Sequence, residues 1–109
     1  MGSRREMGGP AMYVVMNVLE VPAEFKSRMA DMFGHGAQNM AQVPGCLEFQ
    51  FLESTTDNKQ VVYTKWESEA AFDAWRKSDA FARAHSAERT GQSPAMSSHI
   101  ESYVVVHHT

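Results

Sequence analysis

Three side chains of this sequence could act together on a planar ring that holds a metal ion. Asn17 lies within an apolar segment, and Trp75 and His85 follow far downstream. A histidine can ligate the metal, an indole is large enough to press on the ring, and a carboxamide can hydrogen-bond a small ligand on the opposite side of the metal. No single one of these residues indicates that chemistry, so the prediction depends on all three.

Each of the three also has an ordinary structural explanation. His85 by itself fits a partly exposed histidine near the end of a helix. Trp75 shares a predicted helix face with Ala71 and Phe72, so it could fill the core, line a ligand site or do both. Asn17 is set among apolar neighbours, where an unpaired carboxamide costs about 1–3 kcal/mol. It must therefore bond a neighbouring backbone group or face a ligand.

Composition limits the classes of protein that this chain can represent. With 109 residues, 43% of them apolar, it fits one domain. A net charge of −3, from 10 basic and 13 acidic residues, provides no positive field for a nucleic acid. Cys46 is the only cysteine and cannot form an internal disulfide. No segment resembles a signal peptide or a membrane span, so we expect a cytoplasmic protein without a membrane partner.

The first strand would carry Asn17. Residues 1–11 are rich in glycine and charge, which predicts a flexible tail before one domain at 12–107, with 108–109 as its C-terminal end. Residues 12–21 are mostly β-branched or otherwise apolar and end at Pro22, which predicts a strand. Alternation places Asn17 on one face with Tyr13, Val15 and Leu19.

Three further segments have the composition of strands. Residues 46–54 and 60–66 are separated by a polar turn, which predicts a hairpin. Within the first of them, strict alternation puts Cys46 on the side of Glu48, Gln50 and Leu52. Residues 97–106 end in three valines and predict the last strand.

Helical periodicity appears in three other segments. Residues 24–42 place apolar side chains at spacings of three and four, among them Phe25, Met29, Met32, Phe33 and Met40. Ser68 is a suitable N-cap for a helix over 69–77, and a further helix is predicted from Ala80 to about Arg89.

The order β-α-β-β-α-α-β predicts an α+β fold of the ferredoxin-like, split β-α-β type, with helices on one face of a four-stranded antiparallel sheet. Strand one is apolar on both faces, so the second face of the sheet also needs cover. We therefore expect a homodimer that packs through this face, in the form of a dimeric α+β barrel.

The chain resembles the IsdG-type haem-degrading monooxygenases, a branch of the antibiotic biosynthesis monooxygenase superfamily. The likeness runs from about Met12 to Val106. It rests on the strand with Asn17, Val43-Pro44-Gly45, Trp66-Glu67-Ser68 with Ala71, Phe72 and Trp75, Lys77-Ser78-Asp79-Ala80-Phe81 leading to His85, and Ser93-Pro94. The combination of Asn17, Trp75 and His85 is the part specific to haem.

This resemblance implies a haem oxygenase. It makes His85 the proximal iron ligand, Trp75 the residue that ruffles the porphyrin, and Asn17 a distal residue near dioxygen, with Phe33 as a wall of the pocket. Haem would be both cofactor and substrate, and dioxygen with an external reductant would open it to a linear tetrapyrrole and release iron.

The sequence departs from the family pattern at one position. Met32 stands where relatives often carry arginine, so a basic contact to a haem propionate is missing there. Other basic residues near enough in the predicted layout to replace it are Arg28, Arg76, Lys77, Arg83 and Arg89.

Two other functions stay open at this point. One is a cofactor-independent monooxygenase that acts on a quinol or polyketide, because one fold supports several chemistries. The other is a haem-binding carrier or sensor that does not turn its ligand over.

Overall fold

The structure, a computed structural model, describes residues 11–79 and 97–109. The predicted helix from Ala80 to Arg89 lies outside these ranges. The described elements are β1 (Tyr13–Glu20), a 3₁₀ turn (Ala23–Phe25), α1 (Lys26–Met40), β2 (Cys46–Glu53), β3 (Lys59–Trp66), α2 (Glu69–Arg76) and β4 (Ser97–Val104).

All four strands form one antiparallel sheet in the order β2-β3-β1-β4. Asn17, near the middle of β1, lies opposite Val62 on β3 and Ile100 on β4. This order places β1, the strand that is apolar on both faces, between two neighbours. The ferredoxin-like α+β fold predicted from the sequence is confirmed.

The sheet and α1 enclose the main core. Leu19, Val21 and Met29 are buried together, and the partly buried side chains against them are Phe25, Phe33, Phe51 and Val62. Burying side chains of this size stabilises the fold by about 1.5–3 kcal/mol each. The face of β1 that carries Leu19 is therefore the face covered by α1.

A second packed cluster lies between α2 and the same face of the sheet. Trp66 is fully buried and meets Phe72 edge to face, with ring centroids 5.6 Å apart. Tyr13 also contacts Phe72, at 5.9 Å between centroids. Both helices therefore pack on one side, as expected.

Ser68 begins α2 in the predicted way. Its side chain accepts a hydrogen bond from the backbone N–H of Ala71 at 3.2 Å. The loop before β2 lies against this helix start, because the N–H of Glu67 donates to the carbonyl of Gly45 at 2.8 Å. Gly45 has φ +84°, a backbone conformation that favours glycine.

The alternation predicted for β2 is wrong at its first residue. The pairing with β3 shifts between Cys46 and Glu48, so that Leu47 is an extra residue in the strand. This bulge puts Cys46 opposite Trp66, on the helix-facing side with Phe49, and not on the side of Glu48. The phase of the strand is set by pairing with β3, which local sequence does not reveal.

The centre of the opposite sheet face is half-buried and mainly apolar, whereas the edge strands give that face largely polar and charged residues. It presents Met16 and Val18 from β1 beside Val61 and Tyr63 from β3. Within the described ranges, no helix is long and apolar enough to cross a membrane.

Candidate active site

Asn17 presents to the helix-covered side of the sheet a polar atom that has no partner in the part of the chain that the structure describes. It lies between Val15 and Leu19 in the alternation, and both of those side chains are buried on that side. Its Oδ1 is buried and has no hydrogen-bond partner among the described residues. A bond from neighbouring backbone to this oxygen, the ordinary explanation for Asn17, is therefore not seen in this part of the chain.

Phe33 contributes an aromatic wall on the same side. Its ring stacks on Phe51, with centroids 4.9 Å apart and an interplanar angle of 13°. Phe51 lies opposite Val62, which in turn lies opposite Asn17. The stacked pair thus stands over the same row of the sheet that contains the carboxamide.

Trp75 lies in the last turn of α2 and is half-buried. Its ring contacts Trp66 at 5.5 Å and Phe72 at 6.3 Å between centroids. The core and ligand-wall explanations are both compatible with this position, since part of the indole is packed and part is accessible.

The backbone of Trp75 is held at the helix end. Its carbonyl accepts hydrogen bonds from the hydroxyl of Ser78 at 2.6 Å and from the N–H of Ser78 at 2.9 Å. These bonds satisfy a carbonyl that a helix end would otherwise leave without an intrahelical partner.

The structure brings three of the four predicted site residues to one side of the sheet. Asn17 lies on the sheet face that the helices cover, and Phe33 on α1 and Trp75 on α2 pack on that same side. His85 lies outside the described residues, so its role stays a prediction.

Thr64 is a candidate for a functional role that the sequence pattern did not indicate. This residue is 7% exposed, and its hydroxyl donates to the carbonyl of Val15 at 3.3 Å while accepting from Nε1 of Trp66 at 2.9 Å. The available signal was the spacing of a threonine two residues before a tryptophan on one strand face.

Basic groups near the site are sparse in the described residues. Arg28 and Lys77 are exposed, and Arg76 pairs with Asp73 at 3.6 Å. Met32, the position where the sequence is expected to depart from the family pattern, is 42% exposed. Arg83 and Arg89 lie outside the described ranges.

Other groups in the described residues do not form a metal centre. No cluster of three or more His, Cys, Asp or Glu side chains that could hold a metal ion occurs in residues 11–79 and 97–109. His35 is exposed on α1, and His99 on β4 bonds Glu101 at 3.1 Å. The side chain of His99 is exposed as well.

An open cleft of about 240 Å³ lies elsewhere, between α1 and the start of β2. Its lining includes Met40, Cys46 and Phe49. Burial raises the pKa of the Cys46 thiol above its ordinary value, although a hydrogen bond to the backbone of Glu48 opposes this. The thiol is therefore less reactive than a free cysteine.

The chain is similar to monooxygenases, among them proteins named heme oxygenases. The family model for antibiotic biosynthesis monooxygenases matches residues 12–87. A Mycobacterium tuberculosis protein named heme oxygenase (mycobilin-producing) is 35% identical over 94 residues, which cover 85% of this chain and 89% of that protein. A Staphylococcus haemolyticus protein named heme oxygenase (staphylobilin-producing) is 37% identical, with 82% and 90% covered.

A solved structure agrees with these relatives. The heme-degrader MhuD from Mycobacterium tuberculosis, solved with two hemes bound in its active site, superimposes with a TM-score of 0.74 at 33% identity. The match covers 89% of this chain and 98% of that one.

Proposed function

The chain belongs to the antibiotic biosynthesis monooxygenase family and is an oxygenase, and on this premise we propose that it degrades haem. Haem is both substrate and cofactor in the proposed reaction. Dioxygen and electrons from an external reductant open the porphyrin, and the products are a linear tetrapyrrole and iron. The names and coverage of the two similar oxygenases favour haem over other substrates of the family.

The buried Oδ1 of Asn17, unpaired among the described residues, carries the proposal. An orphaned polar group costs stability and calls for a partner that the apolar neighbours do not provide. A carboxamide can present its oxygen or, after a rotation of the amide, its nitrogen, so Asn17 can accept from a ligand or donate to it. Phe33 and Trp75 on the same side offer the broad aromatic surface that suits a planar ring.

The residues divide the work by chemical type. His85 would hold the iron, Asn17 would hydrogen-bond a small ligand of the iron, and Trp75 would pack against the macrocycle. Haem supplies the redox centre when it is bound, and axial ligand, hydrogen bonding and ring distortion are the protein's means of directing it. Phe33 limits the pocket and excludes water.

A hemin titration followed by visible absorbance tests the proposal. We expect a Soret band that saturates near one haem per chain and loses its intensity when reductant is added in air. His85→Ala should abolish the ligated spectrum. His35→Ala is the matched control, because His35 is exposed on α1 and is given no role.

Other outcomes identify the competing functions. A saturable band that reductant and air do not bleach would indicate a haem carrier or sensor. Absence of a specific band, together with oxidation of a phenolic substrate without iron, would indicate a cofactor-independent monooxygenase. An unchanged spectrum and rate in His85→Ala would disprove ligation by this residue.

We also infer that the enzyme is a homodimer. At its centre, the sheet face opposite the helices presents Met16, Val18, Val61 and Tyr63 as a half-buried, mainly apolar surface. Packing two such faces together removes apolar area from water and makes a self-complementary interface.

A further inference from the structure

We propose that Trp66, locked in place by Thr64, is the positioning residue that fixes the tilt of Trp75. The effect of this arrangement on haem rests on the proposed function, since Trp75 can distort a porphyrin only where haem binds. The orientation of Trp75 itself is a property of the protein alone.

Trp66 is held in one orientation. Its indole is fully buried, and its N–H donates to the hydroxyl of Thr64 at 2.9 Å. That hydroxyl donates in turn to the carbonyl of Val15 on β1 at 3.3 Å. A buried N–H has to be paired, so the indole is held in the rotamer that reaches Thr64.

The two indoles are in contact. The rings of Trp66 and Trp75 are 5.5 Å apart at their centroids and tilted by 33°. Phe72 packs against both of them. Ser78 holds the backbone of Trp75 at the same helix end.

Trp75 can press on a haem ring only if its own position is supported. A side chain distorts a stiff ring only if it cannot retreat, and packed interiors transmit strain because they have few voids. Trp66 forms a buried wall beside Trp75 and is bonded through Thr64 to the central strand. A change at Thr64 should therefore alter the tilt of Trp75 without touching haem.

The simpler alternative is that Trp66 only fills the core. In that case any core substitution of equal effect on stability would change Trp75 equally. Val21 is fully buried in the other cluster, with Leu19 and Met29. Val21→Ala is therefore the matched control, because it weakens packing without reaching the Thr64–Trp66 pair.

The first experiment needs no haem. The chain contains two tryptophans, and two indoles in contact give an exciton couplet in far-ultraviolet circular dichroism. Thr64→Val keeps the shape of the side chain but removes the hydroxyl, so we expect the couplet to lose most of its amplitude or change its sign. Thr64→Ser keeps the hydroxyl and should retain the couplet, as should Val21→Ala. A wild-type couplet in Thr64→Val would overturn the proposal.

The second experiment uses the haem-loaded protein. Thr64→Val should bind haem with wild-type stoichiometry and KM. The meso-proton NMR shifts of its ferric cyanide complex should report a flatter ring, and kcat should fall by about tenfold to 100-fold, the scale of a lost positioning contact. Trp66→Phe serves as a second variant in this assay if Thr64→Val does not fold.

The two failures can be told apart. If the wild-type protein binds no haem, the proposed function fails, and the couplet alone then decides whether Thr64 and Trp66 orient Trp75. If haem binds but Thr64→Val matches the wild type in shifts, kcat and product, or Val21→Ala alters them equally, the positioning role is wrong.

Discussion

At the scale of single residues, we expect Asn17 to lower the stability of the fold while serving haem degradation. Its buried oxygen, which has no partner among the described residues, should cost the apo-protein about 1 kcal/mol, the lower end of the range for an orphaned buried group. Asn17→Val replaces the carboxamide by a strand-forming apolar residue. We predict that this variant unfolds at higher urea concentration than the wild type yet degrades haem much more slowly.

The control for Asn17→Val introduces valine where the amide is exposed. Gln50 on β2 is exposed and its side chain hydrogen-bonds Glu48 at 3.4 Å. Gln50→Val therefore measures the gain in the free energy of unfolding that comes from strand propensity alone. An Asn17→Val variant that is less stable than the wild type would contradict the account of the orphaned oxygen. Full activity would exclude a role in catalysis.

Cys46 gives a second prediction at this scale. Because burial raises the pKa of its thiol, the nucleophilic thiolate is scarcer than in a free thiol at the same pH. Alkylation by iodoacetamide, followed by mass spectrometry, should be slower than for an unfolded peptide of the same sequence. The pH at which alkylation accelerates should be higher for the folded protein than for the peptide.

The same shift has a consequence for stability. The folded state favours the neutral Cys46 thiol. Its contribution to the free energy of unfolding is therefore fully present below the ordinary thiol pKa, and it is lost as the pH rises through the raised pKa of the folded protein. Alkylation at the rate of the free peptide, with the protein folded, would show that the thiol is not shielded.

At the scale of elements, one substitution should have opposite effects at two glycines. An added Cβ at Gly34, inside α1, would have no heavy atom of the described residues within 4 Å, apart from its chain neighbours and the nearby backbone of the same helix. Gly34→Ala should therefore raise the free energy of unfolding by about 0.5–1 kcal/mol through helix propensity. The presence of glycine at position 34 is therefore not explained by the close approach of a neighbouring described residue.

Gly45→Ala should destabilise the protein by about 2 kcal/mol or more. Its φ is +84°, and an added Cβ would lie 2.5 Å from Cβ of Ala71 at the start of α2. Urea unfolding of the two variants side by side measures both effects. Equal and small changes would show that the loop before β2 can move away from α2.

At the scale of the whole molecule, the half-buried sheet face should control assembly. Val18 lies on that face, opposite Val61 on β3. Val18→Lys places an unpaired charge in the proposed apolar interface, where its desolvation is unfavourable. We predict that sedimentation velocity shows a dimer for the wild type and a folded monomer for this variant.

Thr55→Lys provides the comparison for the assembly test. Thr55 is exposed between β2 and β3, so the added charge should leave the dimer intact. A wild-type protein that sediments as a monomer at all concentrations would disprove the interface. If the Val18→Lys variant is still a dimer, the dimer interface lies on another surface.

Local pattern was sufficient for the order of the described elements, the Ser68 cap and the face on which Asn17 lies, because alternation and capping depend on neighbours in sequence. The bulge at Leu47, the contact of Gly45 with α2 and the link from Thr64 through Trp66 to Trp75 depend on strand pairing and helix docking. Those contacts join residues far apart in the chain, so only the packed tertiary structure fixes their geometry.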